Sequence, residues 1–169
     1  MKVAVIGSTG YVGGRLIPEL IAAGHEVRCV ARTPERLSGV DWRPEVDVMA
    51  ADVLDKDSLD QALAGMDAVY YLVHAMGHAG DFEKTDRIGA ENTRSAAEKA
   101  GVSRLVYLGG LGEDDPEALS SHLASRHEVG NILAAGPIPV TELRAAVIIG
   151  SGSASFEMLR NLTEVLPAM

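Results

Sequence analysis

Short apolar runs alternate with amphipathic stretches along almost the whole chain, and a glycine closes most of the amphipathic ones. Lys2 to Ile6 is a β-branched run ended by glycine, the pattern of a strand buried on both faces, and Tyr11 to Ala23 then turns helical and stops at Gly24. Glu26 to Ala31 and Val46 to Ala50 read as the next two strands. Asp55 is placed to cap a helix with Leu59, Ala62 and Leu63 on one side and Gly65 at its end, and Ala68 to Val73 is again a strand. A long helix follows from Asp81 to Ala100, closed by Gly101. Arg104 to Leu108 is a strand, Leu119 to Ala135 a helix before Gly136, and Val140 to Leu143 a strand after Pro139. Beyond Gly150-Ser-Gly, Phe156, Leu159, Leu162 and Leu166 recur at helical spacing and predict an amphipathic helix from Ser153 to Leu166.

Strands alternating with helices predict an α/β domain: a doubly wound parallel sheet of the Rossmann kind, flanked by helices on both faces. Pro18 is the one local offence, because its ring presses on the carbonyl four residues back; Gly14 stands there and leaves room for a mild kink, so the first helix is kept whole. Doubly wound domains normally carry their substrate pocket on later elements. Residues 1–169 are therefore expected to form one domain whose substrate lobe is absent or truncated.

Composition narrows the partners. A chain of 169 residues with 47% hydrophobic content builds one real core. Its net charge of −9 repels nucleic acid and anionic membranes, and its basic residues form no stripe. The single cysteine, Cys29, lies in an apolar run, so no internal disulfide forms and a reactive thiol is not expected. No apolar run approaches the roughly 20 residues of a membrane helix, and the start has no leader pattern. A soluble, cytoplasmic protein with no membrane partner is expected.

The strongest chemical signal is Gly7-Ser8-Thr9-Gly10-Tyr11-Val12-Gly13, which leaves the first strand and opens the first helix. Gly7 permits the tight turn, Gly10 lets backbone approach a pyrophosphate, and Gly13 lets helix pack on strand, while the helix's free N–H groups and dipole face the negative charge. A three-glycine pattern alone is weak; at the first strand-to-helix junction of an alternating chain it points to a bound dinucleotide. At the end of the second strand stands Arg32, where an acidic side chain would take the ribose hydroxyl of NAD. A guanidinium there suits a 2′-phosphate, with Arg36 as a helper, so NADP(H) is expected over NAD(H). Asp52, after the third strand, either accepts from the adenine amino group or caps the next helix.

These residues make the chain similar to the atypical and extended short-chain dehydrogenase/reductases, particularly NmrA-like and nucleotide-sugar-epimerase-like NAD(P)-binding proteins. The resemblance rests on Gly7-Ser-Thr-Gly-Tyr-Val-Gly-Gly, Ala51-Asp52-Val53, Gly89-Ala90-Glu91-Asn92, Arg104-Leu-Val-Tyr-Leu and Leu143-Arg144-Ala-Ala-Val-Ile-Ile-Gly150. It implies a cofactor lined by the glycine turn, Arg32, Asp52, Val53, Val73, His74 and Gly109, and a homodimer through the two long helices. It also implies a hydroxyl after the fifth strand and a Tyr-x-x-x-Lys on the next helix. Here Gly109-Gly110 and His122-Leu-Ala-Ser-Arg126 occupy those positions, and Ala145 stands where a proline often follows the arginine of the sixth strand.

His122 is then the candidate proton carrier, Arg126 the candidate holder of the nicotinamide ribose, and Ser125 or Ser121 the substitute hydroxyl. The same helix positions also suit a plain, partly exposed helix face. His74 and His78 fail the pattern of a metallopeptidase helix, since no Glu follows His74; no metal is expected, and His74 is better placed beside the nicotinamide. Two functions follow: an NADP-dependent oxidoreductase or epimerase-like enzyme on an unidentified small molecule, or a non-catalytic module that senses NADP(H). The loop from Gly109 through Glu113-Asp-Asp-Pro borders the substrate site or merely turns the chain.

Overall fold

The computed structural model describes residues 1–74, 81–112 and 120–165. Six strands, β1 (Lys2–Ile6), β2 (Glu26–Ala31), β3 (Asp47–Ala50), β4 (Ala68–Tyr71), β5 (Arg104–Gly110) and β6 (Val140–Ala145), form one sheet in the order β3-β2-β1-β4-β5-β6. Every neighbouring pair is parallel. This is the doubly wound order whose switch point lies between β1 and β4, where a crevice opens at the carboxyl ends of the strands.

Alternation along the buried strands feeds two cores. Ala4 and Ile6 of β1 join Val69, Tyr71, Leu105 and Tyr107 under the helices α2 (Lys56–Leu63), α3 (Asp81–Ala100) and α4 (Ser121–Ala134). Val3 and Val5 point the other way and pack with Val27 and Cys29 under Ile17 and Leu20 of α1 (Tyr11–Ala22). The helix α1 runs unbroken through Pro18, as its sequence predicts. Asp55 caps α2 by accepting from the N–H groups of Asp57 and Ser58.

The sequence places the elements correctly and blurs their ends. Strand β4 stops at Tyr71 rather than Val73, β5 and β6 run on to Gly110 and Ala145, and α4 begins at Ser121 with Ser120 as its cap. Leu119 and Leu166, given to helices by their spacing, lie outside the described residues. The helix α5 (Ala154–Val165) forms, yet none of its residues is buried: Met158, Leu159, Leu162 and Val165 stand exposed, as do Leu143, Val147 and Ile149 before it. Among the described residues no helix is long and apolar enough to cross a membrane.

Candidate functional site

The turn between β1 and α1 is built around close backbone approaches. Gly7 has φ +93°, a left-handed conformation that disfavours a side chain, and a Cβ there would meet the Leu72 carbonyl carbon at 3.1 Å. A Cβ on Gly13 would come within 2.5 Å of the Gly7 oxygen. The buried Ser8 hydroxyl donates to the Val30 carbonyl at 3.1 Å, tying the turn to β2. Gly10 is the N-cap of α1 and brings no side chain, so the first N–H groups of the helix remain for an anion.

From this turn a cleft of about 500 Å³ runs across the strand ends. One end holds Arg32, Asp52, Val53 and Leu54; the other holds Val73, His74 and, from α3, Phe82 and Asp86. Arg32 is exposed and has no bonded partner among the described residues. Asp52 does not cap α2, because Asp55 does; its carboxylate accepts the Leu54 N–H at 3.0 Å within its own turn. Val53 is held from behind: Asn92 donates to its carbonyl at 2.9 Å, and a Cβ on Gly89 would touch the Val53 side chain. The stretch Gly89-Ala-Glu-Asn92 is therefore a brace for the cleft floor.

Not every expected lining residue faces the cleft. Gly109 lies under the carboxylate of Glu142 on β6, and Gly13 and Ser8 shape the turn from within rather than line the open space. Tyr11 turns to the far side, its hydroxyl against Gly150 and its ring under the Arg15 guanidinium, which also donates to the Ser151 carbonyl at 3.2 Å. Val12 is half-buried on the first turn of α1.

On α4, His122 is exposed, and its ring meets His74 edge-on with centroids 6.0 Å apart. Arg126 donates to the Leu108 carbonyl at 2.6 Å, and its buried Nε has no partner among the described residues. A Cβ on Gly110 would reach Arg126 at 3.2 Å, so the glycine is what admits the guanidinium to the end of β5. Ser125 does not present its hydroxyl to the cleft: it is buried and donates to Asp86 at 3.2 Å, turned towards α3. Ser121 is exposed at the first turn of α4. His78 and the acidic part of the loop at 113–116 lie outside the described residues.

Burial, with the Arg126 guanidinium and His122 beside it, pushes His74 below the ordinary imidazole value, against the opposing pull of Asp86. Burial pushes the Tyr107 phenol up to about 12, and that hydroxyl donates to the Arg126 carbonyl at 3.0 Å. Burial likewise pushes the Cys29 thiol up to about 11, away from reactivity. Phe82 and Asp86 are the site residues that sequence reasoning missed. Their signal was present: Phe82, Thr85, Asp86 and Gly89 recur at three- and four-residue spacing, one face of α3.

The glycine cradle and the empty face of the helix N-terminus fit a dinucleotide, and known proteins agree. A family model described as NAD(P)H-binding matches residues 7–151. A 3 beta-hydroxysteroid dehydrogenase/Delta 5-->4-isomerase of Mycobacterium tuberculosis is 31% identical over 116 residues, 63% of this chain and 30% of that relative. Citrobacter sp. triphenylmethane reductase, complexed with NADP(H), superposes with a TM-score of 0.77 at 25% identity over 97% of this chain and 55% of that one. A Bacillus halodurans structure named as an NAD-dependent epimerase/dehydratase gives 0.78 at 26% identity, over 91% of this chain and 74% of its own. The chain thus spans less than a third of the curated relative it matches and about half of the reductase. It belongs to the NAD(P)H-binding family, among the atypical and extended short-chain dehydrogenase/reductases.

Proposed function

We propose that this chain is the cofactor-binding part of a cytoplasmic NADP(H)-dependent oxidoreductase acting on a small carbonyl or hydroxyl compound. The observation that carries the cofactor choice is Arg32. It follows β2 directly at the mouth of the cleft, unpaired among the described residues, where a 2′-phosphate would complete its bidentate fork. What favours chemistry over sensing is the likeness to dehydrogenases and reductases.

The bound dinucleotide supplies or accepts the hydride. The chain's own residues do the rest. The first turn of α1 with Gly7 and Gly10 holds the pyrophosphate; Ala31, Val53 and Leu54 form the apolar slot for the adenine; Asp52 offers its free carboxylate oxygen to the adenine amino group. Arg126, anchored on Leu108, sets its permanently charged guanidinium at the end of β5, where it would hold a ribose hydroxyl and exclude water. His122 exchanges protons with solvent at the same end.

Titration with NADPH and NADH, read by nicotinamide fluorescence, tests this. Charge-assisted hydrogen bonds of about 1.5–3 kcal/mol predict NADPH binding tighter than NADH by about 10- to 100-fold, and Arg32→Ala should erase most of that gap. Equal affinity for both would overturn the NADP preference. Binding of neither would overturn the cofactor reading itself.

A further inference from the structure

We propose that His74 and His122 work as one proton pair, with His74 as the group that meets the substrate oxygen and His122 as its link to solvent. The inference rests on the oxidoreductase reading above and assigns its proton path. Of the groups at this end of the cleft, Ser125 is withdrawn into a buried bond with Asp86, and Arg126 is permanently charged and holds the Leu108 carbonyl. The phenol of Tyr107 is spent on the Arg126 carbonyl, that of Tyr71 is pushed far above its usual value by burial, and Thr85 already has a partner. The two imidazoles remain.

Their placement differs in the way a relay requires. His74 is half-buried and lines the cleft, whereas His122 is exposed. The rings lie 6.0 Å apart between centroids with planes at 73°, and Phe82 packs on His122 at the same separation, so the outer ring is held against the inner one. That distance leaves them within reach of each other through a single water. The charged groups facing His74 are Arg126 and His122 from α4 and Asp86 from α3. The Arg126 guanidinium, with His122 beside it, resists a positive charge on His74, and the buried Asp86 carboxylate opposes that effect.

In the reductive direction the substrate oxygen, negative once its carbon has accepted hydride, takes the ring N–H proton of the neutral His74 while the other ring nitrogen of His74 takes a proton from His122 through the bridging water, and His122 takes one from solvent. The oxidative direction runs the same steps backwards. Asp86, held by Ser125, is a positioning residue: it fixes the charge behind His74 without touching the reacting atoms.

Imidazole NMR titration of the full chain tests the pair without needing a substrate. Linkage makes the coupling visible at the inner ring: removing His122 should raise the His74 midpoint. His122→Phe and His74→Phe serve first, with His122→Gln and His74→Gln as variants that keep a polar side chain should a phenylalanine fail to fold. Saturating NADP+, whose nicotinamide is cationic, should lower the His74 midpoint further than NADPH does. A His74 midpoint that ignores the removal of His122 would overturn the pair. Binding of NADP+ with no response at His74 would overturn its place beside the reacting atoms. Failure of either cofactor to bind would instead strike the oxidoreductase reading, while the coupling between the rings would still be read in the free chain.

Discussion

The side-chain amide of Asn92, in the middle of α3, donates to the backbone carbonyl of Val53 at 2.9 Å, and so joins a helix to the loop that floors the adenine end of the cleft. Val53 follows β3 with no ladder partner of its own, and this bond anchors the loop together with the Ser58 hydroxyl, which accepts the Asp52 N–H at 3.1 Å. Asn92→Ala should cost about 0.5–1.5 kcal/mol of stability, measured by urea unfolding. The same variant should weaken dinucleotide binding, because Val53 and Asp52 lose their fixed position. Unchanged affinity would mean that the loop is held by its own Asp52 turn alone.

Two adjacent glycines make opposite predictions. A methyl group on Gly13 would lie 2.5 Å from the Gly7 oxygen and 2.9 Å from the Ser8 Cα, backbone atoms that cannot yield without spoiling the turn. Gly13→Ala should destabilise by about 1–3 kcal/mol or more and abolish cofactor binding. Gly14, with nothing within 4 Å, should accept alanine and gain up to about 1 kcal/mol of helix stability. Thermal melts of both variants provide the comparison.

Ser125→Ala removes the hydroxyl that donates to the buried Asp86 carboxylate. Loss of a bond to a charged, buried acceptor should cost about 1–3 kcal/mol. Cofactor affinity should stay as it was, because Ser125 does not line the cleft. A large loss of affinity without loss of stability would return Ser125 to the site.

The depressed pKa of His74 sets a pH dependence with a definite sign. Below the ordinary imidazole value of about 6.5 the unfolded chain takes up a proton that the native His74 resists, so stability falls as pH falls through that value. The stability of the parent should therefore decline more steeply on going from about pH 7 to pH 5 than that of His74→Gln. Parallel declines would show that burial does not hold His74 neutral.

How far these features were legible in the sequence follows from the length over which each is written. The fold is spread across many residues: Val3 and Val5 against Ala4 and Ile6, or Leu59, Ala62 and Leu63, repeat a period that no single misreading disturbs. The glycine turn was equally legible, since its geometry excludes other residues. Single side chains were harder. Ser125 and Arg126 are neighbours in sequence but about 100° apart around α4, so one enters the α3 contact and the other the end of β5. Asp52 and Asp55 are both good caps by type, and only the path of the chain between them decides that Asp55 takes the role. Asp86 escaped notice because its importance lies in partners from β4 and α4, far away in the sequence.

Among the described residues, the helix α5 is tied to the rest of the fold through its first turn. Ser153 accepts the Phe156 N–H and donates to the Ile148 carbonyl, and Glu157 reaches back to the Gly152 N–H, so the first turn of α5 is fully engaged. Past that turn no residue of α5 is buried, and a helix of this length without packing is marginal in water. Amide exchange should accordingly run along α5 as a gradient, fastest at Val165 and slowing towards Phe156, at an opening free energy far below that of the sheet. The chain would then have two grades of order: a cofactor cradle that opens only when the whole domain unfolds, and a helix α5 that opens by itself many times in between.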